Sequence, residues 1–149
     1  MVNCLFCSKK ESFKSFFIYE FEYWYLEHAK DTSISGWLIL VLRRHCESLH
    51  LLSEFEWNEL SKAFRFICTA LQEITNCKKE YIVQYAEGLQ TQHIHFHIIP
   101  RYYDLADSLK GRNIFQAFGP NIENKITENE LDEIISKLKL HFTNNQIFL

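Results

Sequence analysis

Three histidines, His93, His95 and His97, alternate with apolar residues near the middle of the chain, and two thiols, Cys4 and Cys7, stand three residues apart at its start. Both patterns offer lone pairs to an electrophile or a metal. A neutral imidazole is a competent nucleophile near pH 7, because its pKa leaves a lone pair available without a separate strong base. Phosphorus is a natural electrophile for it. At a side-chain period of two, the three histidines share one face of a strand over residues 92–101, while Ile94, Phe96 and Ile98 share the other. One face is chemical and the other is packing. Histidine is 7 of 149 residues, so this alternation should arise by accident about once per ten thousand start sites, roughly once in a hundred chains of this length. Three parallel imidazoles also make poor packing material, so an exposed face that merely happens to be His-rich is the weaker reading.

Successive histidines on one strand face lie about 6–7 Å apart at the backbone, given a rise of about 3.3 Å per residue, so all three converge on a single ion only with strain. Divided roles fit better. The Cys4-Leu5-Phe6-Cys7 spacing lets a tight turn aim both sulfurs at one Zn²⁺. A structural zinc site takes four protein ligands, so two more donors must come from elsewhere, and the surplus of histidines supplies candidates; the plainer alternative is two ordinary thiols in an N-terminal turn. Cys46, Cys68 and Cys77 bring the total to an odd five at irregular spacing, which fits reduced, unpaired thiols rather than a disulfide framework.

The elements that must position these groups are legible in the hydrophobic pattern. Residues 15–19 and 21–27 are dense in aromatic and β-branched side chains and predict two early strands. Residues 37–42 (WLILVL) form a continuous apolar run suited to a strand buried on both faces. From Ser53 the period becomes helical, with Trp57, Leu60, Phe64, Ile67, Leu71 and Ile74 on one stripe and Ser53 with Glu56 as a capping box. This predicts one long amphipathic helix over 53–75, covering a sheet face. Residues 81–85 predict a further strand, joined to the histidine strand by a short hairpin loop at 86–89. After Arg101 the chain reads as polar and irregular through Lys110-Gly111-Arg112, and Thr127 with Glu130 caps a second helix over about 127–142. The sum is an α+β domain with a mainly antiparallel, five-stranded sheet, one long helix on a face and a second C-terminal helix. At 149 residues, 47% of them hydrophobic, with four glycines and two prolines, a single compact domain over 1–149 is expected, its core at about 1–118. A net charge of −3 gives no global reason to expect nucleic acid or membrane surfaces as partners. The first residues lack a basic start and apolar run, which makes the cytoplasm the expected location.

The motif His-apolar-His-apolar-His-apolar-apolar resembles the signature of the histidine triad (HIT) family of nucleotide hydrolases and transferases. The likeness extends upstream to residues 35–45 (SGWLILVLRRH), similar to that family's strand ending in basic-basic-His, and to the helix at 53–75. It departs at Ser35-Gly36-Trp37, where Pro-Gly-His is usual, which marks a divergent, bacterial-type branch. The resemblance implies attack by His95 on the α-phosphate of a nucleotide derivative, giving a nucleotidyl-histidine, with His97 donating to a phosphoryl oxygen. It places Gln90, and more weakly Gln84, near the phosphates, and Phe21, Tyr23 and Trp24 in a cleft for the base, although each of these three serves equally as core. From the zinc-bearing branches it implies a structural Zn²⁺ on Cys4, Cys7, His45 and His93. It further implies a homodimer joined sheet edge to sheet edge and a nucleotide-type small-molecule substrate. Two alternatives stand beside this: a non-catalytic, zinc-stabilised nucleotide binder, and a metalloenzyme using the three histidines as ligands.

Overall fold

The structure, a computed structural model, describes residues 4–8 and 15–145. Its strands are β1 (Phe17–Glu20), β2 (Trp24–His28), β3 (Leu38–Leu42), β4 (Lys79–Val83) and β5 (His95–Arg101). They form one antiparallel sheet in the order β1-β2-β3-β5-β4. The helices are α1 (Leu5–Ser8), a single turn, then α2 (Glu54–Thr75) and α3 (Glu128–Asn144). The expected α+β architecture, with a five-stranded sheet and a long helix on one face, is the one observed.

Period-two alternation divides the buried residues into two layers. Trp24 and Leu26 of β2, Leu38, Leu40 and Leu42 of β3 and Phe96 and Ile98 of β5 face α2, packing on Leu60, Ala63, Ile67 and Leu71. Fully burying a side chain of this size contributes about 1.5–3 kcal/mol each. The opposite face carries Ile39, Val41 and Ile99 beside the histidines, and it is covered by Trp37, Ile114 and Ala117. That cover comes from the stretch expected to be irregular: after Arg101 the chain makes two 3₁₀ turns, Asp107–Leu109 and Gly111–Ala117. A short helix stripe interrupted by polar residues leaves too weak a period to be seen in sequence.

Both capping boxes form. The Ser53 hydroxyl accepts the Glu56 N–H at 3.2 Å and the Glu56 carboxylate accepts the Ser53 N–H at 2.7 Å, while Thr127 and Glu130 do the same for α3. Glu56 has a second task. Arg44, leaving β3, donates two hydrogen bonds to it at 2.6 and 2.9 Å, and these hold its carboxyl down at about 2. The end of β3 is thereby tied to the start of α2. Phe142 of α3 packs on Tyr19 and on Phe66, closing that helix over β1 and α2.

Two expectations need correction. The histidine run does not enter the sheet at residue 92: β5 begins at His95, and His93 sits at a bend just before it. The His93 N–H turns back to the Thr91 carbonyl at 2.8 Å, and the Ile94 N–H donates to Cys46 at 2.8 Å instead of continuing a ladder with β4. The link from β4 to β5 is correspondingly long, residues 84–94 rather than a tight loop at 86–89. Ala86 is in the left-handed region at φ 53°. The five cysteines are free thiols, as the odd count suggested. Among the described residues no helix is long and apolar enough to cross a membrane.

Candidate functional site

The three histidines are all buried, each with a different hydrogen-bond partner. His95 donates its Nδ1–H to the carbonyl of His93 at 2.7 Å, a bond back to the bend just before its strand that turns the outer nitrogen, Nε2, away from the backbone. This supplies the fixed acceptor that a nucleophilic imidazole needs. His97, one pleat along, accepts at Nδ1 from the indole N–H of Trp37 at 3.0 Å. Burial, with His95 beside it, pushes His97 down to about 3, so the ring is neutral over the physiological range. The two rings meet edge to face with centroids 5.1 Å apart.

His93 faces elsewhere. Its Nε2–H donates to the Leu42 carbonyl at 2.7 Å, leaving Nδ1 directed at Cys4 Sγ (3.4 Å) and Cys7 Sγ (3.5 Å). His45 is held in the same posture: Nε2 lies 3.2 Å from the Glu47 carboxylate and Nδ1 lies 3.4 Å from Cys7 Sγ. Four donor atoms, from Cys4, Cys7, His45 and His93, thus lie within 4.8 Å of one another. The residues fit a tetrahedral metal. Metal–sulfur and metal–nitrogen bonds of about 2.3 and 2.0–2.1 Å imply sulfur–nitrogen edges of about 3.5 Å, close to the 3.4, 3.4 and 3.5 Å found for Cys4–His93, Cys7–His45 and Cys7–His93. Each imidazole also has its outer N–H side anchored by a carbonyl or a carboxylate, the arrangement that orients metal-ligating histidines. These four residues could hold a metal ion. Among the described residues that cluster takes in His93 but not His95 or His97.

Beside His95 and His97 opens a cavity of about 820 Å³. Its walls include Phe6, Ile39, Tyr85 and Phe118, with Glu27 and His28 among the polar lining. Phe6, carried by α1 between the two thiols, lies against the His95 ring with centroids 4.8 Å apart. The metal cluster and the cavity therefore share one turn of chain. His28 donates Nδ1–H to the Ala29 carbonyl at 2.7 Å and accepts the Gly36 N–H at 2.9 Å, and burial lowers it to about 4. Gly36 has φ 81°, and a Cβ there would lie 3.3 Å from Pro100, so glycine suits this bend into β3. The bend delivers Trp37 to His97.

The expected base-cleft residues are elsewhere. Trp24 is buried against α2, donating to the Glu56 carbonyl at 3.1 Å, and Phe21 is buried beside Phe142 of α3, so both are core. Tyr23 packs on the same cluster. The alternation within β2 puts Trp24 and Leu26 on the helix side and Glu27 on the cavity side, a distinction that an unbroken aromatic run hides. Neither Gln84 nor Gln90 is among the residues lining the cavity; Gln90 is exposed, and its carbonyl accepts the Leu5 N–H at 2.8 Å. Sequence reasoning missed Glu27, Phe115 and Phe118. The only signal for the last two was their apolar character in a stretch otherwise read as loop.

An antiparallel sheet presenting alternate histidines beside a cavity, backed by one long helix, defines the class. A family profile for the HIT domain matches residues 10–104, and the chain belongs to the HIT family. Among solved structures it is similar to a histidine triad protein from Bradyrhizobium japonicum, at 25% identity and TM-score 0.71 over 90% of this chain and 96% of that one. A diadenosine triphosphate hydrolase from Plasmodium falciparum shares the fold at 16% identity and TM-score 0.66, covering 89% of this chain and 79% of that one. So does a Zn-bound histidine triad family protein from Mycobacterium smegmatis, at 17% identity and TM-score 0.54, covering 83% and 86%. Among curated proteins no sequence matches.

Proposed function

We propose that this protein is a nucleotide hydrolase or transferase acting at the α-phosphate of a nucleoside phosphate derivative through a covalent nucleotidyl-histidine. The observation that carries the reading is the His95 Nδ1–H bond to the His93 carbonyl, which leaves Nε2 with the lone pair and directs it outward from the strand. In the first step His95 Nε2 forms a bond to phosphorus as the bond from phosphorus to the leaving group breaks. His97 donates to a phosphoryl oxygen whose charge grows in that step. In the second step water attacks phosphorus on the far side from the imidazole and releases a proton to solvent, the nitrogen–phosphorus bond breaks with its electron pair returning to Nε2, and His95 is again neutral as the nucleoside monophosphate departs; another acceptor in place of water makes the reaction a transfer. The cavity beside the histidines, with aromatic walls and a buried carboxylate at Glu27, suits a nucleoside. A related fold in Plasmodium falciparum belongs to a diadenosine triphosphate hydrolase, which supports a substrate of this chemical class.

Cys4, Cys7, His45 and His93 would hold a structural Zn²⁺, which would fix α1 against the loop before β5. Gln84 and Gln90 flank the loop residues that line the cavity and are assigned contacts with the part of the substrate beyond the α-phosphate. The chain would act as one domain over 1–149 and as a homodimer. The test is turnover across a dinucleoside polyphosphate, an adenosine phosphoramidate and a nucleotide sugar, with rapid quench and intact mass spectrometry. A nucleotidyl adduct that maps to His95 is expected with at least one of them. Turnover without an adduct on any histidine would exclude the covalent route, and no turnover of any substrate despite tight binding would favour a non-catalytic binder.

A further inference from the structure

Trp37 is fully buried, donates its indole N–H to His97 Nδ1, and is wedged against two further rings, stacked on Phe118 with centroids 5.1 Å apart and edge to face with Phe115 at 5.4 Å. An indole N–H only donates and neither accepts nor titrates. A neutral imidazole carries one proton. If Nδ1 must accept from Trp37, that proton must sit on Nε2. We infer that Trp37 is a positioning residue that locks His97 as its Nε2–H tautomer, opposite to the Nδ1–H tautomer of His95, so that adjacent pleats present one lone pair and one N–H toward the same space. Phe115 and Phe118 pack around the His97 ring at centroid distances of 5.0 and 5.3 Å and offer no hydrogen-bonding side-chain atom that would reverse the choice. Desolvation by the same rings disfavours the doubly protonated form, in which Nδ1–H would face the indole N–H.

The pairing suits a reaction in which one imidazole must attack and its neighbour must donate. In the wrong tautomer His97 would turn a lone pair toward a phosphoryl oxygen and repel it. What the donor meets rests on the proposed reaction; the tautomer itself does not. Removal of the indole N–H should therefore cost turnover through kcat rather than through KM.

The experiment reads the tautomer directly. Protein labelled with ¹⁵N-histidine is observed by two-bond proton–nitrogen correlation near neutral pH, and His97, assigned by loss of its signals in His97→Asn, is expected to show a protonated Nε2 and an unprotonated Nδ1. Trp37→Phe should give a tautomer mixture and slow turnover by about tenfold or more in kcat. Because that change leaves space in a packed site, Trp37 is also replaced by 3-benzothienylalanine, which keeps the ring shape and substitutes sulfur for the N–H; it should reproduce both effects with a melting temperature near wild type. A protonated Nδ1 on His97 in the wild-type protein, or an unaltered His97 pattern in both replacements, would overturn the inference. Spectra showing the locked tautomer in a protein that turns over none of the nucleotide substrates would uphold the lock and remove the proposed reaction instead.

Discussion

At the scale of residues, the three histidines differ by their partners rather than by their type: a backbone carbonyl for His95, an indole for His97, and a carbonyl with two thiols for His93. The shared face of His95 and His97 was legible in sequence, because a period of two is a local property, whereas the burial of all three rings and the turn of His93 out of the strand were not. Their partners were not, since Trp37 and Leu42 lie some fifty to sixty positions away and only strand pairing brings them near. The partners predict distinct losses. His95→Ala should abolish turnover by several orders of magnitude and His97→Ala should slow it by about 10²–10³-fold, with folding intact in both, as steady-state rates beside circular dichroism would show. Activity of His95→Ala within about tenfold of wild type would exclude it as nucleophile. Burial also makes two histidines pH-sensitive elements of stability. His28 and His97 titrate at about 4 and about 3 in the folded chain, against an ordinary value of 6.5. Below about pH 6.5 the unfolded chain binds protons that the folded chain does not, so their contribution, complete above that pH, is lost as pH falls toward the folded values, at up to about 1.4 kcal/mol per pH unit for each. Chemical denaturation at a series of pH values should show stability declining from about pH 6.5 downward, and a flat profile down to about pH 5 would contradict it.

At the scale of elements, what matters is which segments are fixed by their own sequence and which by contact. The long helix was legible to within a residue, since Ser53 and Glu56 cap it locally and its apolar stripe runs for six turns. The cover over the histidines was not: Gly111–Ala117 gains its 3₁₀ form by laying Ile114 and Phe115 against the sheet, a contact without any local period. α1 is the extreme case. A four-residue helix cannot hold itself, and its position rests on the Leu5 N–H bond to Gln90, the packing of Phe6 on His95 and His93, and the thiols that meet His45 and His93. With zinc bound as proposed, chelation should release α1, lower the melting temperature, and weaken nucleotide binding because Phe6 leaves the cavity wall. His93→Ala should do the same without chelator, whereas His97→Ala should keep the metal. Elemental analysis beside calorimetry decides it. Metal lost equally from His95→Ala and His97→Ala would make the three histidines one coordination site after all.

At the scale of the whole molecule, the two edges of the sheet differ among the described residues in what packs beside them. β1 lies at one edge, where Tyr19 and Phe21 meet Phe142 of α3, so that side is shielded by a helix. β4 is the other edge strand, half-exposed along its length, with Ile82 presented to solvent. An edge strand offers unpaired backbone donors and acceptors together with apolar side chains, a template for pairing with another copy unless a charge, a proline or a cover blunts it. Lys79 and Glu80 blunt its beginning, but residues 81–83 carry no charge. An antiparallel β4–β4 contact about a two-fold axis would satisfy those groups on both copies at once, since an isologous interface pairs the same strand with itself. It would also place two histidine sites on one continuous sheet, with each β5 only one strand from the seam. Sedimentation equilibrium should therefore give a dimer at micromolar concentration. Ile82→Lys puts two charges near each other across that seam and should shift the protein to monomer, with its melting temperature altered only as far as dimer dissociation requires, because Ile82 is 43% exposed in the single chain. A wild-type protein that sediments as a monomer, or an Ile82→Lys variant that remains fully dimeric, would remove β4 as the joining edge.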